Sequence, residues 1–187
     1  MKLNEFNSLT ELFFYQANKQ NPKNIFLEWI NPNNKKLFTW SETVSNIYKL
    51  TKIFKEHIKS GDRCLLVSEN RPEWLITDLA IMLANGITVP AYTTYTENDY
   101  KYLIEDCKPS IVIVSNNEMH KKLEKIINEK EFVKKVITFE AIDGLNYENK
   151  YLDFNSIIKN NLQENDKIKN LDLKRTTPAC IIYTSGT

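Results

Sequence analysis

Short apolar runs almost free of polar alternation recur along the chain. They are Cys64–Val67, Ile87–Val89, Ile111–Val114, Val136–Phe139 and Ala179–Tyr183. A strand that alternates apolar and polar residues has one wet face, whereas a continuous apolar run fits a strand covered on both faces. The first four runs are separated by stretches whose apolar residues return every three or four positions, the period of a helix. Pro72 is suited to the first turn of one such helix, expected to reach Asn85 with Gly86 closing it. Thr96 with Asp99 caps another, through about Cys107, and Pro109 marks a break. Asn117–Lys130 carries an inner stripe of Met119, Leu123, Ile126 and Ile127 on an otherwise charged helix. Strands alternating with helices predict βαβ units and a parallel sheet with helices packed on both faces.

The first 60 residues follow a different pattern. Ser8 with Glu11 has the form of a capping box for a helix to about Lys19, with Leu12, Phe13 and Ala17 inward, and Asn21-Pro22 ends it. Ile25–Ile30 and Lys36–Thr39 predict a hairpin around the turn Asn31-Pro32-Asn33-Asn34. Thr39 with Glu42 caps a long helix with Val44, Ile47, Leu50, Phe54 and Ile58 on its apolar side. Gly61 is expected to be its left-handed cap residue. From Glu140 to Arg175 the pattern weakens: Asp143-Gly144 reads as a turn, Tyr151–Asn160 as a short helix, and Asn161–Arg175 as a polar surface connection.

Composition sharpens this picture in a few places. With 187 residues, 42% apolar and 26% charged, the chain can bury a substantial core. A net charge of +1 creates no field that would favour nucleic acid. Cys64, Cys107 and Cys180 lie far apart, form no C-x-x-C pair, and read as buried or half-buried free thiols. Leu75–Ala84 is interrupted by Thr77 and Asp78 and is too short to span a bilayer, and Met1–Phe6 lacks an apolar signal region. The expected location is cytoplasmic, with peripheral attachment to a membrane left open.

Candidate chemistry is sparse. There is no G-x-G-x-x-G, complete Walker loop, H-E-x-x-H or G-x-S-x-G. His57 and His120 sit among charged neighbours and read as surface histidines. At the end of the last apolar run, Thr184, Ser185, Gly186 and Thr187 form a small hydroxyl-rich group around a glycine. Such a loop at the carboxyl end of a strand can offer backbone N–H groups and hydroxyls to a polyphosphate. Taken alone, the four residues fit a plain strand-to-loop turn better than an anion site.

The wider context changes that weighting. Tyr183 through Thr187 resembles the start of the phosphate-loop signature of the adenylate-forming enzymes, Y-T-S-G-[ST]-T-G-x-P-K-G. Phe38-Thr39-Trp40-Ser41-Glu42 resembles that family's early threonine-aromatic-x-Glu helix start. Leu83–Pro90 resembles its Leu-x-x-Gly-x-x-x-Pro strand entry, and Gly61-Asp62-Arg63 followed by Asn70–Trp74 also fits. The likeness is close over Thr39–Pro109 and Thr176–Thr187. Within the family, Pro90–Tyr95 looks most like the long-chain fatty acyl-CoA synthetases.

The resemblance implies an α/β fold: the N-terminal part of the large domain of an adenylate-forming enzyme, preceded by a helix and a hairpin. It implies that Thr184, Ser185, Gly186 and Thr187 belong to the loop holding the ATP phosphates, with Tyr183 ending the strand and orienting that loop. ATP, Mg²⁺, coenzyme A and a fatty acid are the implied substrates and cofactors. The family's loop lysine, adenine contacts, Mg²⁺-binding glutamate and C-terminal catalytic lysine fall beyond Thr187, so no catalytic or metal residue is assigned. Residues 1–187 are accordingly expected to be the incomplete N-terminal portion of the adenylation domain, inactive alone, with an exposed sheet edge at Ala179–Tyr183. The alternatives are a ligase for another carboxylate (short-chain, aromatic or carrier-protein-bound) and a non-catalytic domain that retains the fold.

Overall fold

The computed structural model describes residues 5–31, 34–161 and 173–184. The element order is α1 (Leu9–Ala17), β1 (Ile25–Asn31), β2 (Asn34–Thr39), α2 (Trp40–His57), β3 (Arg63–Val67), α3 (Pro72–Leu83) and β4 (Ile87–Ala91). It continues with α4 (Glu97–Cys107), β5 (Ile111–Val114), α5 (Asn117–Glu129), β6 (Lys135–Thr138), β7 (Tyr151–Asp153) and α6 (Phe154–Lys159). β1 and β2 form the antiparallel hairpin. The five later strands make one sheet in the order β4-β3-β5-β6-β7, with every neighbouring pair parallel.

The continuous apolar runs are explained by two separate cores. Cys64, Leu66, Ile111, Ile113 and Ile137 face α2, α3 and α6 on one side of the sheet. Leu65, Val67, Val89, Val112, Val114 and Val136 face α4 and α5 on the other. Side chains alternate in a strand, so a strand with helices on both sides has no position left for a polar residue. Ile47, Leu50 and Phe54 of α2 are all fully enclosed.

The two capping boxes at Thr39/Glu42 and Thr96/Asp99 both form. Ser8 accepts from the Glu11 N–H at 3.0 Å, but the Glu11 carboxylate reaches Asn7 N rather than Ser8, so that box is only half built. Two glycines act differently from expectation. α2 ends at His57 with Ile58 extended, and Gly61 (φ +80°) serves the turn into β3. After α3 it is Asn85 (φ 63°) that turns left-handed, while Gly86 lies where a Cβ would meet Ile58 Cδ1 at 2.7 Å. Tyr151–Asp153, expected to be helical, pairs with β6 as an edge strand, and Asp153 then caps α6 through the Ser156 N–H at 2.9 Å. The turn residues Pro32 and Asn33 lie outside the described residues.

Candidate functional site

β3 sends its connection through α3 to β4 on one side, whereas β5 sends its own through α5 to β6 on the other. Opposed connections of this kind open the carboxyl edge of a parallel sheet, which is where such folds take ligands. Along that edge run Ser68–Arg71 after β3, Tyr92–Thr96 after β4, Ser115–Asn116 after β5 and Phe139–Ile142 after β6. The last described segment joins the same sheet beside β4. Cys180 forms an isolated parallel bridge with Thr88, held by Thr88 N–H to Ala179 O at 3.1 Å and Ile181 N–H to Thr88 O at 2.9 Å. Carried on in the same direction, the register brings Thr184 level with Tyr92, the first residue past β4.

The expected strand Ala179–Tyr183 is thus reduced to a bridge, and there is a local cause. Thr88 turns its N–H and C=O towards this segment, and two residues on Pro90 faces the same way. Proline has no N–H to continue the ladder. The segment's far edge carries no partner among the described residues, and Ile182 is 65% exposed. Tyr183 compensates by its side chain. Its hydroxyl donates to Asp106 Oδ2 on α4, and its ring meets Tyr102 edge-on at 6.3 Å between centroids. Burial first, and then the Asp106 carboxylate beside it, push the Tyr183 phenol up, so it remains a donor at neutral pH.

Of the four predicted loop residues, Thr184 is described and exposed, and Ser185, Gly186 and Thr187 lie outside the described residues. The loop after β4 is firmly held. Tyr100 Oη donates to Tyr92 O at 2.7 Å, Lys122 Nζ donates to Thr93 O at 3.0 Å, and Tyr95 packs edge-on to both Tyr92 and Tyr100. Burial first, then Tyr95 and the nearby acids, push the Tyr100 phenol up to about 12. A cavity of about 350 Å³, lined by Phe6–Thr10, Leu12, Met82, Leu173–Arg175 and Thr177–Ala179, opens where this last segment enters the sheet and does not include Thr184.

At the same carboxyl edge, sequence reading missed a buried ionic cluster. The Arg71 guanidinium donates from Nε to Glu73 Oε2 at 2.9 Å and from Nη1 to Glu140 Oε1 at 2.8 Å. Lys36 of β2 reaches Glu73 Oε1 at 2.8 Å, and Trp29 stacks on the guanidinium 4.7 Å away. The cluster ties the hairpin to the loops after β3 and β6. Nothing local could have revealed it, because its members come from four separate parts of the chain.

The thiols and imidazoles divide unevenly. Cys64 and Cys107 are buried, and desolvation drives both upward, Cys107 to about 11, so neither is a nucleophile. Cys180 is exposed, against the expectation of a buried or half-buried thiol. His120 corrects its reading more sharply: it is 2% exposed, and its Nε2 lies 3.2 Å from Tyr151 Oη. Its position with Leu123 and Ile127 places it on the inner stripe of α5, a signal its charged neighbours concealed. Among the described residues no group of three His, Cys, Asp or Glu could hold a metal ion, so no residue here is given a role towards Mg²⁺. No helix among them is long and apolar enough to cross a membrane.

A doubly wound α/β sheet with the last described segment entering it beside β4 and reaching Thr184 defines the class. The chain belongs to the AMP-binding enzyme family, whose profile matches residues 13–187. It is 32% identical over 156 residues to a long-chain-fatty-acid–CoA ligase of Mus musculus, ACSBG2, covering 78% of this chain and 23% of that one. It is 24% identical over 135 residues to the long-chain-fatty-acid–CoA ligase FadD15 of Mycobacterium tuberculosis, covering 70% and 21%. The anthranilate CoA ligase AuaEII, solved with anthranoyl-AMP, superposes over 100% of this chain and 34% of its own with a TM-score of 0.81 at 17% identity. Apo MatB from Rhodopseudomonas palustris covers 96% and 33% with a TM-score of 0.70 at 21% identity. At those identities the two structures speak for the fold alone. The chain spans 23% and 21% of the lengths of the two curated relatives.

Proposed function

We propose that the chain is the N-terminal part of the adenylation domain of an AMP-forming acyl-CoA ligase acting on a long-chain fatty acid. What supports this reading is the parallel bridge of Cys180 with Thr88, which leads the chain to Thr184, the first residue of the Thr-Ser-Gly-Thr run in the sequence. Long-chain specificity draws on the 32% identity to the murine ligase.

In the first step a fatty-acid carboxylate oxygen attacks the α-phosphorus of ATP. The bond to pyrophosphate breaks and an acyl-adenylate forms. In the second, the coenzyme A sulfur attacks the acyl carbon, the bond to AMP breaks, and a thioester results. The first step brings two anions together, so its barrier falls when fixed donors hold the phosphate oxygens. Thr184, Ser185, Gly186 and Thr187 would supply hydroxyl and backbone N–H donors for that purpose. The buried sheet that leads up to Thr184 is the rigid platform, and the Arg71 cluster locks the loops after β3 and β6. A cytoplasmic protein that meets its fatty acid at a membrane surface is the setting this reading implies.

The test is thioester formation by the complete protein that carries this chain, with palmitate, acetate, benzoate and anthranilate offered in parallel. Palmitoyl-CoA with AMP and pyrophosphate as co-products is the expected result. Preference for a short or aromatic acid would redirect the substrate class. Absence of any ATP–pyrophosphate exchange with every acid would sink the enzymatic reading. Residues 1–187 alone are expected to show no exchange.

A further inference from the structure

Tyr102 and Asp106 stand four residues apart on α4 and so share one ridge of the helix. Tyr183 lies across that ridge, its ring edge-on to Tyr102 and its hydroxyl on the Asp106 carboxylate. α4 is itself rigidly placed. Its first turn is closed by the Thr96/Asp99 box, and Tyr100, Leu103, Ile104 and Cys107 fill the core beneath it. The ridge is therefore a fixed reference for whatever touches it.

The last segment needs such a reference. Its backbone ladder on β4 ends with Ile181 N–H to Thr88 O, because the next donor on that side of β4 would be Pro90. From there to Thr184, the side chain of Tyr183 is the attachment to the body of the protein among the described residues. Neighbouring acids on α4 are otherwise engaged: Glu105 accepts from Lys130 Nζ at 2.9 Å. Asp106 alone of the two faces the last segment.

We infer that Asp106 is a positioning residue that acts through Tyr183 to set the direction in which the chain leaves the sheet at Thr184. The inference rests on the reading of Thr184–Thr187 as a phosphate loop. Asp106 does not touch ATP. It fixes the tyrosine that precedes the loop, and its loss lets the start of the loop swing while the sheet and both cores stay intact.

The experiment uses the complete protein, with Asp106→Ala, Asp106→Asn and Tyr183→Phe, measuring KM for each substrate, kcat, and midpoints of urea unfolding. Asp106→Ala and Tyr183→Phe are each expected to raise KM for ATP about fivefold, the worth of one ordinary hydrogen bond, with KM for fatty acid and coenzyme A unchanged. Asp106→Asn, whose amide oxygen still accepts from the phenol, recovers most of the affinity. The double variant is no worse than either single one, because both remove the same contact. The idea is overturned by an unchanged KM for ATP in Asp106→Ala and Tyr183→Phe. It is equally overturned if Asp106→Asn is as impaired as Asp106→Ala, or if all three KM values shift together with a lowered urea midpoint. If Asp106→Ala does not fold, Tyr183→Phe carries the same comparison. A parent protein that uses no ATP overturns the phosphate-loop reading and this inference with it. A parent that uses ATP, with variants that match it, overturns the inference alone.

Discussion

Arg71 Nη1 donates to Glu140 Oε1 at 2.8 Å, joining the loop after β3 to the loop after β6 over the top of β5. The Arg71 side chain is fully enclosed and its partner Glu73 is 1% exposed, whereas Glu140 is half exposed. Charges this deep are tolerated only when they are paired and hydrogen-bonded, and here every donor edge of the guanidinium finds a carboxylate.

Replacing Arg71 by Met should therefore cost about 3–5 kcal/mol, because Glu73 would stay buried with Lys36 as its remaining cation. Urea unfolding monitored by tryptophan fluorescence measures this, with Trp29 reporting on the cluster directly. A loss below about 1 kcal/mol would mean that water enters the site and that the cluster is not sealed.

The same cluster sets an acid limit. Burial alone would raise the Glu73 carboxyl, but the hydrogen bonds from Arg71 and Lys36 outweigh burial and hold it below its ordinary value of 4.5. A carboxyl lowered in the folded state contributes stability that is complete above its unfolded value and is lost as pH falls through the folded one. Unfolding free energy should drop as pH falls below about 4.5, and Glu73→Gln should flatten that drop while lowering stability at pH 7. Parallel slopes for parent and variant between pH 5 and 3 would count against the assignment.

How much of this could be read beforehand differs by element. The strands β3, β5 and β6 were legible because a sheet covered on both faces leaves only apolar positions in them. β7 was not, since Tyr151–Asp153 is three half-buried residues at a sheet edge and runs straight into the helix that Asp153 caps. Gly61 and Gly86 were both recognised as breaks, yet their reasons emerged only from packing and from the left-handed Asn85. The run Thr184–Thr187 stood out only through the resemblance of its wider context, since its local chemistry alone fits a plain turn better. The attachment of Tyr183 to α4 was not legible at all, because Asp106 and Tyr183 are 77 residues apart and no periodicity links them.

Asp78 offers a prediction of opposite sign. Desolvation on α3 pushes its carboxyl up from the ordinary 3.8, and the nearby Thr88 hydroxyl, which makes no well-formed hydrogen bond, offsets this only in part. An acid raised in the folded state favours folding while protonated, so its contribution declines as pH rises from 3.8 through the folded value. Asp78→Asn removes the charge and keeps the shape. It should stabilise the protein at pH 7 and confer no advantage at pH 3, as read from urea midpoints at the two pH values. Destabilisation at pH 7 would reveal a partner for the carboxylate and refute the assignment.

Gly86 tests whether the corner between α3 and β4 is as tight as its geometry indicates. An added Cβ would stand 2.7 Å from Ile58 Cδ1, 3.1 Å from Ile81 Cγ2 and 3.3 Å from Ile81 O. The first clash is with the tip of a flexible side chain and can be relieved, whereas the last is with backbone and cannot. Gly86→Ala should therefore cost about 1–3 kcal/mol, in the range for overpacking a filled core. Ile58→Val removes the clashing methyl and should by itself cost about 0.5–1.5 kcal/mol. Combined, the two changes should cost less than the sum of the singles, since the second makes room for the first. Strict additivity in a double-mutant cycle would place the strain in the backbone contact with Ile81 instead of at Ile58.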